Sequence, residues 1–386
     1  MSLQLKTKTM PEPTIDAVEI ARALGPVFAA RAQAADDGDQ FVAENYADLK
    51  AAGLARAGVP VELGGAGAEV RELAAMLREI ARHCGSTGLA FAMHTHQVAV
   101  PAWRWRHQNV AAMEPLLRRI ANEGLILLSS GGSDWIGGSG QAVKVEGGYR
   151  VTARKVFTSG AAAGDLLMTT AVVAGEDGAD DQVIHFPAPM DAPEVRVLDT
   201  WHTLGMRGTG SNDVMIEDLF VPEASVPVTR KAGEWHPLFQ IISTVAFPLI
   251  YAAYLGVAES AREIAVGLAK KKPPTSHAVA LAGQMDTALR AAQLAHGWML
   301  DVVDRNAPSA ETVNEVMIGR TLAAENAIKA VTLAMEVAGG AGFYRAAGLE
   351  RRFRDIQGAR YHPLQAGPQA QFAGSLALGL PTDTVY

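Results

Sequence analysis

Leu204-Gly-Met-Arg-Gly-Thr-Gly-Ser-Asn-Asp-Val-Met-Ile-Glu-Asp-Leu-Phe-Val-Pro222 is the stretch on which the reading of this chain turns. Its first half, 205–211, holds three glycines, a threonine and a serine. Glycine has no side chain to hold a ligand off, so such a loop brings backbone N–H groups and hydroxyls close to one. The second half alternates, with Val214, Ile216 and Asp218 in one phase and Met215, Glu217 and Leu219 in the other. This predicts a strand with one buried face. Pro222 ends it, because proline cannot donate to a ladder.

Upstream of this stretch the pattern is β-type from Gly124 onward. Short apolar runs at 125–128, 141–145, 149–153, 166–173, 182–187 and 195–198 are separated by Gly, Asp or Pro. That spacing predicts a small barrel or sandwich. Earlier still, 16–35, 41–54, 68–83, 87–102 and 110–122 read as helices, with Leu73, Met76, Leu77 and Ile80 on one face of the third. Downstream, 236–270, 275–306 and 309–338 read as long helices and 365–380 as a fourth, which predicts a four-helix bundle. The fold expected is multidomain α+β: an N-terminal α-helical domain over 1–123, a middle β domain over 124–228 and a C-terminal bundle over 229–386.

Composition narrows the function. At 386 residues the chain is too long for one ordinary core. A net charge of −7 with no basic stripe argues against nucleic acid as a partner. One cysteine, Cys84, excludes an internal disulfide or a cysteine metal cluster and fits a cytoplasmic location. Residues 240–258 carry no charge over about the length that spans a bilayer. Ser243, Thr244, Pro248, Gly256 and two tyrosines within that run favour a helix buried in protein, so no membrane association is expected.

Five motifs in order resemble those of the acyl-CoA dehydrogenase superfamily. Val59-Pro-Val-Glu-Leu-Gly-Gly-Ala-Gly67 is similar to its Val-Pro-Glu-x-x-Gly-Gly-x-Gly loop, and Gly132-Ser-Asp134 to the end of its flavin loop. Gly148-Tyr-Arg-Val-Thr-Ala-Arg-Lys-Val-Phe-Thr-Ser-Gly160 resembles Gly-Tyr-x-x-x-Gly-x-Lys-x-Trp-Ile-Thr-Asn. Gly339-Gly-Ala-Gly342 and Glu350-Arg-x-x-Arg-Asp355 resemble the late signatures. The resemblance spans nearly the whole chain. It implies a flavin held between the β domain and the bundle, completed by a second subunit of a homotetramer. Ser133, Phe157, Ser159, Gly339, Gly340 and Gly342 are the flavin-binding residues it implies, with Phe157 against the ring where the family usually has Trp.

The chain departs from the dehydrogenases of that family where their base should stand. The position after Arg354-Asp355 reads His362-Pro363, and the other family location, 245–249, has no acid either. Lys270-Lys271-Lys272 stands near a missing cofactor arginine and Glu336 replaces a late glutamine, which leaves FAD and FMN both open. A histidine after Arg-Asp, with Gly208-Thr-Gly-Ser-Asn-Asp213 upstream, resembles the reduced-flavin monooxygenases of this fold. These form a flavin hydroperoxide from reduced flavin and O₂, and a separate flavin reductase supplies the reduced flavin. Imidazole titrates near neutral pH and suits the proton control this needs. The catalytic residues expected are therefore His362, His94 and Ser159, acting on a small-molecule substrate. His94 and His96 stand two apart on a helix and face different ways, so no metal is expected. The alternatives are an acyl-CoA dehydrogenase with a relocated base, for which Glu336 is the candidate, and a non-enzymatic binding protein.

Overall fold

The computed structural model describes residues 14–382 except Asp177 and Lys272, and the side chain of Ser133 is not described. The N-terminal helices are α1 (Ala17–Asp37), α2 (Ala43–Ala51), α3 (Val70–His83), α4 (Gly85–Gln108) and α5 (Glu114–Glu123). Asp16 starts α1 by accepting from the N–H groups of Val18 and Glu19, two donors the helix cannot satisfy itself. Leu73, Met76, Leu77 and Ile80 of α3 are all buried, as their spacing predicts.

Eight strands follow: β1 (Leu127–Ser129), β2 (Gln141–Val145), β3 (Gly148–Lys155), β4 (Leu166–Val173), β5 (Gln182–Pro189), β6 (Val195–Val197), β7 (Val214–Pro222) and β8 (Val228–Lys231). They make one mixed sheet in the order β6-β7-β3-β2-β4-β5-β8, with β1 parallel to β4. The barrel or sandwich expected from the strand spacing is thus a single hydrogen-bonded sheet. Its two halves meet at one pair, Gln141 with Val172. β8 has no counterpart in the sequence reading, because Val228-Thr-Arg-Lys231 is too short and polar to announce itself.

The alternation expected for β7 breaks at Asp218. Between the Ala153–Ile216 and Val151–Leu219 pairs, β7 has one more residue than β3, and Asp218 takes a left-handed φ of 59°. This bulge moves Leu219 and Val221 into phase with Val214 and Ile216, and all four are buried. Asp218 and Glu217 face solvent instead.

The bundle is α6 (Pro237–Ala269), α7 (Ser276–Asp304), α8 (Ala310–Ala338) and α10 (Ala366–Ala377), with a short α9 (Leu349–Asp355) before the last. Ser309 and Thr312 form a reciprocal cap on α8. Among the described residues α6 is the one helix long and apolar enough to cross a membrane, and 94% of its most apolar stretch is buried inside the protein. One cluster of buried side chains runs from α1 through α3 and α6 to α8 and takes in the inner face of the sheet. The N-terminal helices and the bundle therefore share a core.

Candidate active site

A cavity of about 1120 Å³ lies where the sheet, α4, α6 and the segment after α9 converge. It exceeds the roughly 300–1,000 Å³ of most ligand pockets and has room for two molecules. The glycine-rich loop helps to assemble it, though not through bare backbone N–H groups. Two of its amides are spent internally, Thr209 donating to Met206 O and Gly210 to Arg207 O. Gly205 lets the loop lie on α9, since a Cβ there would stand 2.4 Å from the Arg354 backbone. Met206 N–H then donates to the buried Asp355 carboxylate at 2.5 Å. Arg354 does not pair with Asp355, as a charged Arg-Asp step suggests. It binds Asp36 of α1 and Glu350 instead. These bonds tie the loop, α1 and α9 together just before His362.

His362 lines the cavity, and its Nε2 lies 2.7 Å from the Tyr254 hydroxyl. Burial raises the Tyr254 phenol well above its usual pKa, so it keeps its proton, and with no other acceptor beside it among the described residues it donates to Nε2. The remaining proton of neutral His362 is therefore on Nδ1, as a donor with no partner among the described residues. Arg320 donates to His362 O at 2.7 Å and fixes the backbone there. Tyr251 does the same one turn earlier, through Ala359 O. The two tyrosines in the uncharged run 240–258 thus hold the histidine segment.

Of the two α4 histidines it is His96 that reaches the cavity, and His94, the one expected there, does not. His94 is buried with both ring nitrogens used: Leu127 N–H donates to Nδ1 at 3.0 Å, and Nε2 faces Ala55 O at 2.8 Å. It joins α4 to β1 and does not reach the cavity. His96 lines the cavity, its Nδ1 donating to Ala92 O at 3.1 Å, and its Nε2, left as an acceptor, has the side-chain amide of the neighbouring Gln97 at 3.4 Å. His362 and His96 offer one donor and one acceptor to the same chamber.

Phe157 and Ser159 both line the cavity. Phe157 is 57% exposed, sits at φ 55° and meets Trp201 edge-on at 5.6 Å. An exposed aromatic in a sparsely populated backbone region marks a ligand surface more than a packing position. Ser159 heads a hydroxyl chain: its Oγ is 2.8 Å from Ser211 Oγ, which is 2.7 Å from Thr209 Oγ1. Thr209 donates to Met206 O at 2.8 Å, so Ser211 must donate to Thr209 and Ser159 to Ser211. Ser159 is left with acceptor lone pairs only.

Asp134 is the one carboxylate on the cavity wall among the described residues, and it is not free. Lys155 Nζ lies 3.0 Å from it, Thr169 Oγ1 donates to it at 3.1 Å, and Ser139 donates as well. Lys155 is fully buried. Its place was legible, since Lys155 falls in phase with the buried Val151 and Ala153. The side chain of Ser133 lies outside the described residues. Gly339 and Gly340 do not reach this cavity. They are exposed at the end of α8, where a Cβ would meet nothing within 4 Å. Gly342 packs against Ala338 and Leu349. Glu336, the candidate relocated base, is exposed on α8 and also outside the cavity.

Burial sets the protonation of this region. It lowers His362 to about 3, with Arg320 and His96 adding to the effect, and His94, His96, His185 and His296 to about 4. The histidines are therefore neutral at pH 7 and do not titrate near neutrality, as their type suggests, until a negative charge enters the cavity. Their folded pKa values lie below the unfolded 6.5, so unfolding takes up protons between about pH 6.5 and pH 4. Stability present above pH 6.5 is lost as pH falls through that window. Asp355, raised by burial to about 6, works in the opposite sense for one proton. Each net proton is worth about 1.4 kcal/mol per pH unit. Urea midpoints should fall steeply from pH 6.5 to pH 4.5, and a flat profile would contradict the burial of these imidazoles.

A flat apolar ring with polar edges fits this chamber. Phe157 and Trp201 offer aromatic surface, Ser159 a hydroxyl, and Thr170 Oγ1 and Trp135 Nε1 are buried polar atoms on wall residues without partners among the described residues. Together with the α, β, α order of the chain, this defines a flavin-dependent oxidoreductase. Acyl-CoA dehydrogenase family models match the chain as N-terminal domain over 19–124 and as C-terminal domain over 249–365. The chain belongs to the acyl-CoA dehydrogenase superfamily.

Relatives include both kinds of enzyme that the sequence weighs. A pigment production hydroxylase of a Rhodococcus species is 28% identical over 93% of this chain and 95% of its own length. A probable acyl-CoA dehydrogenase, YngJ of Bacillus subtilis, is 24% identical over 86% and 88%. Among solved structures, KijD3 in complex with FMN and dTDP-3-amino-2,3,6-trideoxy-4-keto-3-methyl-D-glucose superposes with a TM-score of 0.88. It is 25% identical, over 97% of both chains.

Proposed function

We propose that this protein is a reduced-flavin monooxygenase that uses FMN delivered by a separate reductase and oxygenates a small organic molecule. The observation that carries this is the absence of a free carboxylate on the cavity wall among the described residues, with His362 standing where a dehydrogenase needs its base. Desaturating an acyl-CoA requires a carboxylate to remove a proton, and Asp134 is already neutralised by Lys155. The FMN bound in a structure this chain resembles supports FMN as the cofactor.

When bound, reduced FMN supplies two electrons to O₂; with two protons, one oxygen atom goes to the substrate and the other leaves as water. The chain's own residues bind, orient and exclude water. Trp135, Phe239 and Phe247 pack as an aromatic wall that limits water on that side. His362, oriented by Tyr254, holds a proton at Nδ1, and His96 Nε2 can accept one. Ser159 can only accept, and reduced flavin differs from oxidised flavin in carrying a donor N–H at N5. The hydroxyl chain therefore suits the reduced state. Exposed Phe343 and Tyr344 beside Gly339–Gly342 support a second copy at that end, within a cytoplasmic homotetramer.

The test is reductase-coupled turnover under ¹⁸O₂ with a panel of aromatic, amine and sulfur compounds. A product carrying one ¹⁸O atom supports the reading. Bleaching of tightly bound FAD by an acyl-CoA without oxygen would overturn it.

A further inference from the structure

Arg104 stands out in the cavity wall. It is half-buried on α4, its Nε is enclosed, and it has no hydrogen bond or ion pair to any described residue. Every other arginine that is not on the surface gives at least one hydrogen bond to an acceptor, among the described residues. A buried charge without a partner is costly, and a cavity is where a ligand would supply one. Burial alone acts on Arg104, with no acid to offset it. The carboxylates on and near the cavity wall do not serve it: Asp134 is held by Lys155, and Asp36 and Glu350 by Arg354.

The neighbours of Arg104 also favour an anion. Its charge reaches His236, the residue that caps α6. His236 Nδ1 accepts from Leu238 N–H, so the ring proton sits on Nε2 as a donor. The start of α6, a 33-residue helix with its positive dipole end here, contributes Leu238 and Phe239 to the wall. Between this pole and His96 the surface is mainly apolar: Val100, Pro101, Met113 and Leu116, with the amide of Gln97 beside His96. His96 and Arg104 are eight residues apart on one helix, so their Cα atoms are separated by about 12 Å. The arginine side chain leans back toward the helix N-terminus and shortens that gap.

We propose that Arg104 is the specificity residue for the substrate, pairing with a carboxylate or sulfonate at the far end of an elongated apolar molecule whose other end lies at His96 and His362. This rests on the cavity being the substrate chamber of a monooxygenase. The same anionic chemistry could come from the phosphate of FMN itself, and the test separates the two sources.

The experiment is isothermal titration of the apoprotein with two matched pairs, 4-phenylbutyrate against 4-phenylbutanol and FMN against riboflavin. Wild type should prefer the carboxylate roughly tenfold or more, the range of a charge-assisted hydrogen bond. Arg104→Met should erase that preference and leave alcohol binding and the FMN-to-riboflavin ratio unchanged, whereas Arg104→Lys should keep part of it. Since no described residue hydrogen-bonds or pairs with the Arg104 side chain, the methionine variant should melt at or above the wild-type temperature. A carboxylate preference that is absent in wild type, or that survives in Arg104→Met, overturns the proposal. Loss of FMN discrimination in Arg104→Met would assign the residue to the flavin phosphate and overturn it equally. These titrations involve no turnover, so a failed preference leaves the oxygenase reading standing, and failure of that reading leaves the preference measurable.

Discussion

His362→Ala should lower product formation about 10²–10⁴-fold, the range of a lost acid or base, with FMN binding changed no more than a few fold. His362 is the donor that Tyr254 orients, on a segment fixed by Arg320 and Tyr251. Removing the ring takes away a positioned proton without touching Phe157, Trp201 or Ser159, which give the flavin its surface. Oxygen consumption should continue, but as hydrogen peroxide rather than product. His362→Asn separates two roles: it keeps an N–H donor and cannot transfer a proton. If hydrogen bonding suffices, the asparagine variant recovers most activity; if proton transfer is needed, it behaves as alanine. Tyr254→Phe leaves Nε2 without its donor and should cost roughly tenfold, the scale of one hydrogen bond. Product per O₂ consumed and FMN dissociation constants decide this. Near-wild-type coupling in His362→Ala would remove His362 from the chemistry.

Lys155→Met should destabilise the protein by about 3–5 kcal/mol, the usual cost of stranding one member of a buried ion pair. Lys155 is fully buried, and its ammonium binds Asp134, Ser139 O at 2.7 Å and Ser139 Oγ at 3.0 Å. Without it, the Asp134 carboxylate is left beside Thr169 and Ser139 alone. The double variant Asp134→Asn/Lys155→Met should recover a large part of the loss, because no uncompensated charge remains. Urea unfolding of the three proteins measures this. A loss below about 1 kcal/mol in Lys155→Met would mean that water reaches the pair. The change should also loosen 132–134, the loop that carries Asp134, and weaken FMN binding.

Much of this was legible in the chain. The order of helices, strands and bundle follows from hydrophobic period, and the cap at Ser309 from its Ser-x-x-Thr step. Phe157, Ser159 and His362 stand in motifs that resemble a family, and all three line one cavity. What the sequence did not disclose depends on contacts far apart in the chain. His94 and His96 look equivalent as letters; only the approach of Ala55 and Leu127 to the first leaves the second for the cavity. Glycines 339 and 340 read as cofactor glycines, yet within one chain they lie on an exposed helix end. Tyr254 stands out as a polar residue in an apolar run, but its partner is 108 residues away. Arg104 carries no local signal, because an unpaired charge is visible only once every possible partner has been placed. The neutrality of the histidines at pH 7 likewise follows from burial, which residue type cannot supply.

The measurement that bears most directly on the function is the rate at which oxygen returns protein-bound reduced FMN to its oxidised form. It is read as the recovery of oxidised-flavin absorbance after rapid mixing with oxygenated buffer. A chamber with the aromatic wall of Trp135, Phe239 and Phe247 and with His362, His96 and Ser159 in control of protons should slow that return at least tenfold relative to free flavin, roughly 1.4 kcal/mol of barrier or more. A return as fast as in free solution, in protein shown to bind the flavin, would contradict the account.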